Sequence, residues 1–335
     1  MVTIKDIAKK ANVSIGTVSH VINKNRFVSD GVIKRVTDAM EELDYYPNLM
    51  AGSLRRKSTR TIGLIIPDIS NLLFSALTKE IEKILFAANY NTIICSSEFD
   101  EKIELECLET LRMKMVDGLI LIPVSFRSQY IDKIKKIKIP MVALDRMPDM
   151  DIDVVQNDNY SGGRQAAEHL IELGHKKIGF IDRFSDHSHS IDRRRGFLKV
   201  LRDNSIGIKE DFYIRAHGLD FKDGYRAINR ILDKKDMPTA IFTINDTTAL
   251  GSIKAIYDRN LKVPKDISII GYDDIAICNF SSPRLTTIHY PQKDVSKFVC
   301  KKVLSRIEKG AEKKSSVKKF RPKLVVREST CKVNL

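Results

Sequence analysis

The fold is decided between residues 3 and 29, TIKDIAKKANVSIGTVSHVINKNRFVS. Ile4, Ile7, Ala8 and Ala11 recur at the spacing of one helix face, which predicts a helix over 4–11. Asn12 interrupts it, and Asn tolerates the left-handed backbone of a tight turn. Ser14 suits the N-cap of a second helix over 15–22. Val18, Val21 and Ile22 turn inward there, leaving Ile15, Gly16, Thr17, Ser19 and His20 for the other faces. Ser29 caps a third helix to Leu43 that buries Ile33, Val36, Met40 and Leu43 and is stopped by Pro47. Two short helices joined by a tight turn, the second with small polar residues outside, form the helix-turn-helix pattern. The same periodicity fits a small helical lid on a following domain.

Around this segment the chain has 335 residues, 43% of them hydrophobic, with a formal charge of +14. That length suggests about two domains. Ten Pro and 16 Gly exclude collagen and wholesale disorder. No apolar run approaches the roughly 18 residues of a membrane span. The opening residues lack the apolar segment and cleavage site of a secretory signal, so a cytoplasmic protein is expected. The five cysteines, at 95, 107, 278, 300 and 331, form no C-x-x-C pair and read as reduced thiols.

The positive charge sits at the ends. Residues 1–60 hold 11 Lys and Arg against 6 Asp and Glu, and residues 297–335 hold 13 against 3. A basic end is the footprint of a polyanion binder. The patterned N-terminal cluster fits that role, whereas the C-terminal run reads as a solvated lysine-rich surface.

From residue 60, β-rich apolar runs alternate with helical stretches. TIGLIIP (61–67) precedes a helix over 73–88, NTIIC (91–95) a helix over 101–114, and VDGLILIP (116–123) and IPMVAL (139–144) follow. Next come a helix from Tyr160 to Leu173, KKIGFI (176–181), helices near 192–204 and 222–233, TAIFTI (239–244), a helix over 247–259 and ISIIGYD (267–273). Continuous Val/Ile runs are strands buried on both faces of parallel sheets. Alternation with helices makes doubly wound α/β layers, and this length suits two of them.

Ligands of open parallel sheets sit at the C-terminal strand ends. There the sequence places Asp68, Ser70 and Asn71, then Asp145 and Arg146, then Asn245 and Asp246, and finally Asp273 and Asp274. Arg193 and Phe74 join this set. Carboxylates and amides with one guanidinium suit a neutral polyhydroxyl ligand, with an aromatic covering an apolar ring face. Any single Asp after a strand also reads as the cap of the next helix.

No G-x-x-x-x-G-K-[ST], H-E-x-x-H, G-x-S-x-G or G-x-G-x-x-G is present, so no enzyme and no cofactor is expected. Gly162 and Gly163 at a helix start offer a weak anion signal. His169 and His175 read as structural. Asp186, His187 and His189 have a spacing common on loops, so no metal is assigned.

The segment 3–29, continued by AMEELDYYPNLMAGSLRRKSTRTIGLIIPDISN (39–71), closely resembles the headpiece of the lactose/galactose repressor (LacI/GalR) family, especially its purine-repressor-like members. The resemblance extends to Arg327. It implies an all-α helix-turn-helix headpiece (1–46), a hinge (47–59) and an α/β two-subdomain core like the periplasmic binding proteins. The core subdomains would be 60–160 with 291–322, and 161–290, followed by a strand and tail at 323–335.

In such proteins the second helix enters the major groove. Ile15, Gly16 and His20 are the matching reading positions, aided by Thr17, Ser19 and Arg26, while Thr3, Ser14 and Asn23 meet phosphates. A hinge helix as short as NLMAGSLRR is marginal alone. The family wedges a leucine into the minor groove; Leu54 holds that place, flanked by Arg55 and Arg56. Effector positions map onto Phe74, Asp145, His189, Arg193, Leu219, Asn245 and Asp273. Three departures stand out: DRFSDHSHS replaces a common Gly-Pro turn, Leu219 replaces a frequent aromatic, and Tyr290 lies where relatives are often polar. The expectation is a homodimeric, effector-switched regulator of a pseudo-palindromic operator, answering to a carbohydrate. The alternatives are a phosphoprotein co-regulator or a nucleobase.

Overall fold

The computed structural model describes residues 2–23, 26–46, 58–145, 147–148, 150–183, 188–309 and 315–333. Leu54, Arg55 and Arg56 of the hinge, and Arg146, Asp186 and His187, lie outside them. The chain divides into two compact units, residues 1–59 and 60–335.

The first unit holds α1 (Ile4–Lys10), α2 (Ile15–Asn23) and α3 (Asp30–Glu42). Ile7, Ala8, Ala11, Val18, Val36 and Ala39 form its buried core. Asn12 takes φ 51° at the turn, as its position demands. Two expectations are corrected. Ser29 occupies the N-cap of α3 but its side chain makes no capping bond. Ile33 is 40% exposed. Val36, Met40 and Leu43 turn inward as expected, and Val32 and Ala39 complete that face in place of Ile33.

The second unit holds two six-stranded sheets with helices on both faces. The first contains β1 (Thr61–Ile66), β2 (Asn91–Ser96), β3 (Gly118–Leu121), β4 (Met141–Leu144), β5 (Asp153–Asn157) and β11 (Val317–Phe320), in the order β11-β5-β4-β3-β1-β2. The second contains β6 (Ile178–Arg183), β7 (Tyr213–Ala216), β8 (Ala240–Thr243), β9 (Ser268–Asp273), β10 (Thr286–His289) and β12 (Lys323–Val325), in the order β12-β10-β9-β8-β6-β7. Every pairing is parallel except β10 with β12. Around the sheets lie α4 (Leu72–Ala87), α5 (Glu101–Met113), α6 (Ser128–Ile134), α7 (Asn159–Glu172), α8 (Ser188–Asp203), α9 (Phe221–Leu232), α10 (Asp246–Asp258) and α11 (Gln292–Lys309). The chain passes between sheets after β5, after β10 and between β11 and β12.

Two local devices hold these layers in place. Gly163 and Gly196 let α7 and α8 touch backbone to backbone: a Cβ on either would sit 2.0 Å from a carbonyl oxygen of the other helix. Gly162 passes under Tyr272, whose hydroxyl would lie 2.3 Å from an added Cβ. The glycine pair read as a weak anion signal is therefore a packing device. At the first crossover, Asp153 is buried and receives Lys302 at 3.0 Å and Arg306 at 2.7 Å from α11. Burial alone would raise this carboxyl, but hydrogen bonds from Ser316, Lys302 and Arg306 hold it at about 2. His169 bonds Thr330, and His175 bonds Thr239 and Cys331, so both are structural as expected. Among the described residues no helix is long and apolar enough to cross a membrane.

Two other acids are buried without a cation at hydrogen-bond distance. Asp246 accepts from Ile275 N at 2.9 Å and Thr287 Oγ1 at 2.5 Å. Burial and the neighbouring Asp273 charge push it up to about 8. Glu104 accepts from Val124 N at 3.4 Å, and burial lifts it to about 8. A carboxyl raised in the fold contributes stability that is complete below its unfolded pKa and is lost as pH climbs through the folded one. Each contributes a decline of about 1.4 kcal/mol per pH unit inside that window. The core's melting temperature should therefore fall from pH 6 to pH 8.5, and Asp246→Asn and Glu104→Gln should each flatten the profile by calorimetry. A wild-type profile that rises over this range would contradict both assignments.

Candidate DNA-reading face and effector cleft

The parallel strands of both sheets end at a shared cleft. Asn71, Phe74, Asp145, Asn157, Asn159, Ser190, Arg193, Leu219, Asn245, Asp273 and Tyr290 line it with a few aliphatic residues, enclosing about 720 Å³ with the mouth included. Its mix of apolar walls and a few convergent polar side chains is that of a small-molecule site.

Its floor is built on Arg193, from the first half of α8. The guanidinium lies 3.5 Å from the Tyr272 ring centroid. Nε donates to Asn159 Oδ1 at 3.0 Å, Nη1 to the Ile244 carbonyl at 2.7 Å and Nη2 to Asp273 Oδ1 at 3.2 Å. Tyr272 Oη donates to Asn159 Oδ1 at 3.1 Å and takes Asn157 Nδ2 at 3.3 Å. Burial pushes Asp273 up to about 6 against the pull of Arg193. Asp145 and Asp273 both have positive φ, 120° and 112°, at the ends of β4 and β9. Backbone strain of this kind is tolerated where the surroundings over-determine it, and it collects at ligand sites. Two buried polar atoms lining the cleft have no partner among the described residues: Asn157 Oδ1 and Ser190 Oγ.

Asn71, Phe74, Asp145, Arg193, Leu219, Asn245, Asp273 and Tyr290 thus meet around one space as expected, whereas Ser70, Asp246 and Asp274 of the strand-end set do not line it. Asp68 does not line it; its Oδ1 accepts from Ser70 N and Ser70 Oγ, both at 2.7 Å. His189 falls in the first turn of α8, which starts at Ser188 rather than near 192; its side chain lies outside the described residues. Asn245 caps α10, with Oδ1 accepting from Thr248 N, and its amide donates to the Leu219 carbonyl. The capping reading therefore holds for Asn245 alongside its place in the cleft wall.

On the headpiece, Thr3 Oγ1 donates to Asp6 Oδ2 at 2.7 Å and Ser14 Oγ accepts from Thr17 N at 3.0 Å. Asn23 Nδ2 donates to the Ser19 carbonyl at 2.7 Å. Thr3, Ser14 and Asn23 therefore bind their own helices. Ile15 is 46% exposed, an apolar group facing solvent in the first turn of α2. A Cβ on Gly16 would meet only Ser14 Oγ, at 3.5 Å, so packing does not require glycine there. Thr17, Ser19 and His20 are half-buried and Arg26 is exposed.

Residues 3–48 match the bacterial regulatory proteins of the lacI family, and residues 167–330 the periplasmic binding protein-like domain. The HTH-type transcriptional repressor PurR of Haemophilus influenzae (strain PittEE) is 36% identical over 333 residues, 98% of each chain. The chain belongs to the LacI family. The lac repressor dimer bound to operator and the anti-inducer ONPF superposes with a TM-score of 0.86 at 26% identity, covering 98% of this chain and 99% of that one. A LacI-family regulator from Enterococcus faecium with bound ribose gives 0.74 at 30% identity, covering 82% and 100%. This LacI-family chain is a DNA-binding transcriptional repressor, and its relatives and fold neighbours are regulators rather than enzymes.

Sequence reading missed Asn157, Asn159, Ser190 and Tyr272. The signal for the first two was DIDVVQNDN (151–159), a strand run whose polar end falls at the cleft. Tyr272 gives no signal, because a Tyr inside ISIIGYD reads as core. In this repressor Asn159 serves both Arg193 and Tyr272, so Asn159→Ala should leave buried donors unpaired. That costs about 1–3 kcal/mol, read as a lower denaturation midpoint of the core; an unchanged midpoint would show that water replaces the amide.

Proposed function

We propose that the chain is a dimeric repressor whose operator affinity is switched by a neutral polyhydroxyl effector, a sugar or sugar derivative. Two headpieces would read the half-sites of a pseudo-palindrome, with His20 donating to guanine and Ile15 touching a thymine methyl. The effector would act through its different affinity for two core states, which decide whether the hinge segments pair in the minor groove.

One observation carries the sugar reading. The cleft offers a carboxylate on each side, Asp145 and Asp273, a fixed guanidinium, two polar atoms without partners among the described residues, and the rings of Phe74 and Tyr290 to cover an apolar sugar face. Adjacent hydroxyls donate and accept at once and so satisfy such a set. A family relative with bound ribose supports the same class. A nucleobase is the second reading, favoured by relatives named PurR and by the purine-repressor-like headpiece. Against it, an aliphatic Leu219 stands in the cleft wall where relatives frequently carry an aromatic.

A thermal-shift panel of pentoses, hexoses, their phosphates, hypoxanthine and guanine separates these readings. A ligand at 100 times its Kd stabilises the native state by about 2.7 kcal/mol. A sugar should shift the melting temperature, and Asp145→Asn and Asp273→Asn should remove the shift while leaving operator binding within about twofold. A shift with a base alone would sink the sugar reading. For the hinge, Leu54→Ala should weaken operator binding about tenfold more than binding to random DNA; equal losses would remove the wedge.

A further inference from the structure

Arg183 ends β6 on the second sheet and is only 8% exposed. Its Cζ lies 3.9 Å from the ring centroid of Phe99, in the loop after β2 of the first sheet. Phe99 packs in turn on Phe74, ring centroids 6.3 Å apart at 56°. Phe74 lines the cleft. A chain of three side chains therefore runs from the second layer, across the cleft, to the ligand wall of the first.

This contact carries visible costs. Arg183 Nε and Nη1 are buried with no hydrogen-bond partner among the described residues. Glu98 and Phe99 both take left-handed φ, 51° and 58°, which non-glycine residues rarely adopt. Asp68 and Asp223 favour the charge, yet burial still pulls the guanidinium down to about 10. A contact that served only to fill space would be met by an aliphatic residue at none of these costs. A guanidinium over an arene adds an attraction that exists only while the two layers are close. Opening the cleft hydrates the two orphaned donors, so attraction and desolvation oppose each other and the balance is easily tipped.

We propose that Arg183 is a positioning residue for effector recognition: it clasps Phe99 across the cleft and so holds Phe74 against the bound ligand. This rests on the cleft being the effector site.

The chain contains no Trp, so Phe99→Trp would place a single indole under Arg183. In F99W without ligand, acrylamide quenching should be weak; adding Arg183→Met should raise the quenching constant at least about twofold, and Arg183→Lys should restore part of the protection because an ammonium keeps the attraction. Equal quenching in F99W and F99W/R183M overturns the clasp. If F99W does not fold, amide exchange at residues 97–100 decides instead: R183M in the otherwise native chain should exchange about fivefold faster than wild type, and equal rates overturn the proposal. With D-ribose as the probe, R183M should weaken binding by about threefold to tenfold, mainly through faster dissociation. Unaltered D-ribose dissociation in R183M also overturns it. If wild type binds no D-ribose, the ribose reading of the cleft fails, while quenching and exchange still decide the clasp.

Discussion

The core of this repressor depends on keeping one charge, the Arg193 guanidinium, out of water. A buried cation is costly unless its hydrogen-bonding and electrostatic needs are met. Here Asn159, the Ile244 carbonyl, Asp273 and the face of Tyr272 meet them together. They come from three parts of the chain: the start of α7, the end of β8 and the last two residues of β9. The group therefore fixes where α8, β8 and β9 end relative to one another. Much of the local geometry follows from it. Gly162 must be bare so that Tyr272 can lie flat, and Gly163 and Gly196 must be bare so that α8 can come close enough for Arg193 to reach.

The same arrangement explains why the cleft is poised for a ligand. Asp273 spends one oxygen on Arg193 and is raised by burial, so it sits near the edge of ionisation. Asn157 gives its amide to Tyr272 and leaves its carbonyl oxygen without a donor. Ser190 stands one turn before Arg193 with its hydroxyl also unpaired. A buried polar atom without a partner costs about 1–3 kcal/mol. Unfilled hydrogen-bonding capacity of this kind is what a polar ligand in the cleft would satisfy.

The sequence disclosed the layers better than the joints. Long apolar runs such as TIGLIIP and ISIIGYD are central parallel strands, and their period leaves little doubt about burial. Strands β7, β10 and β11 and helices α6 and α11 were not read, because edge and crossover segments such as VKKF carry no long apolar run, whereas β12 falls within the strand and tail expected at 323–335. The helix-turn-helix was legible because its core is local in sequence, with Ile7, Ala8, Val18 and Val36 less than 30 residues apart. Polar residues at strand ends were found wherever the strand itself was found: Asp145, Asn245 and Asp273. Asn157 and Asn159 escaped because β5 escaped. Tyr272 and Arg183 belong to a different kind of omission. Their roles depend on what a distant helix or loop places over them, and no periodicity records that.

The headpiece shows the opposite economy. Its inward face is complete with small and β-branched residues, and its outward face is nearly unconstrained by packing. Gly16 has open space where a side chain would stand, and Ile15 spends its apolar surface on solvent. Neither choice stabilises three short helices; an exposed isoleucine and an uncrowded first-turn glycine gain nothing from packing. A surface that departs from what folding prefers, at the positions facing away from the core, is under selection from something outside the chain. Because Ile15 and Gly16 carry little of the packing, these positions can change without disturbing the hydrophobic core that holds the motif together.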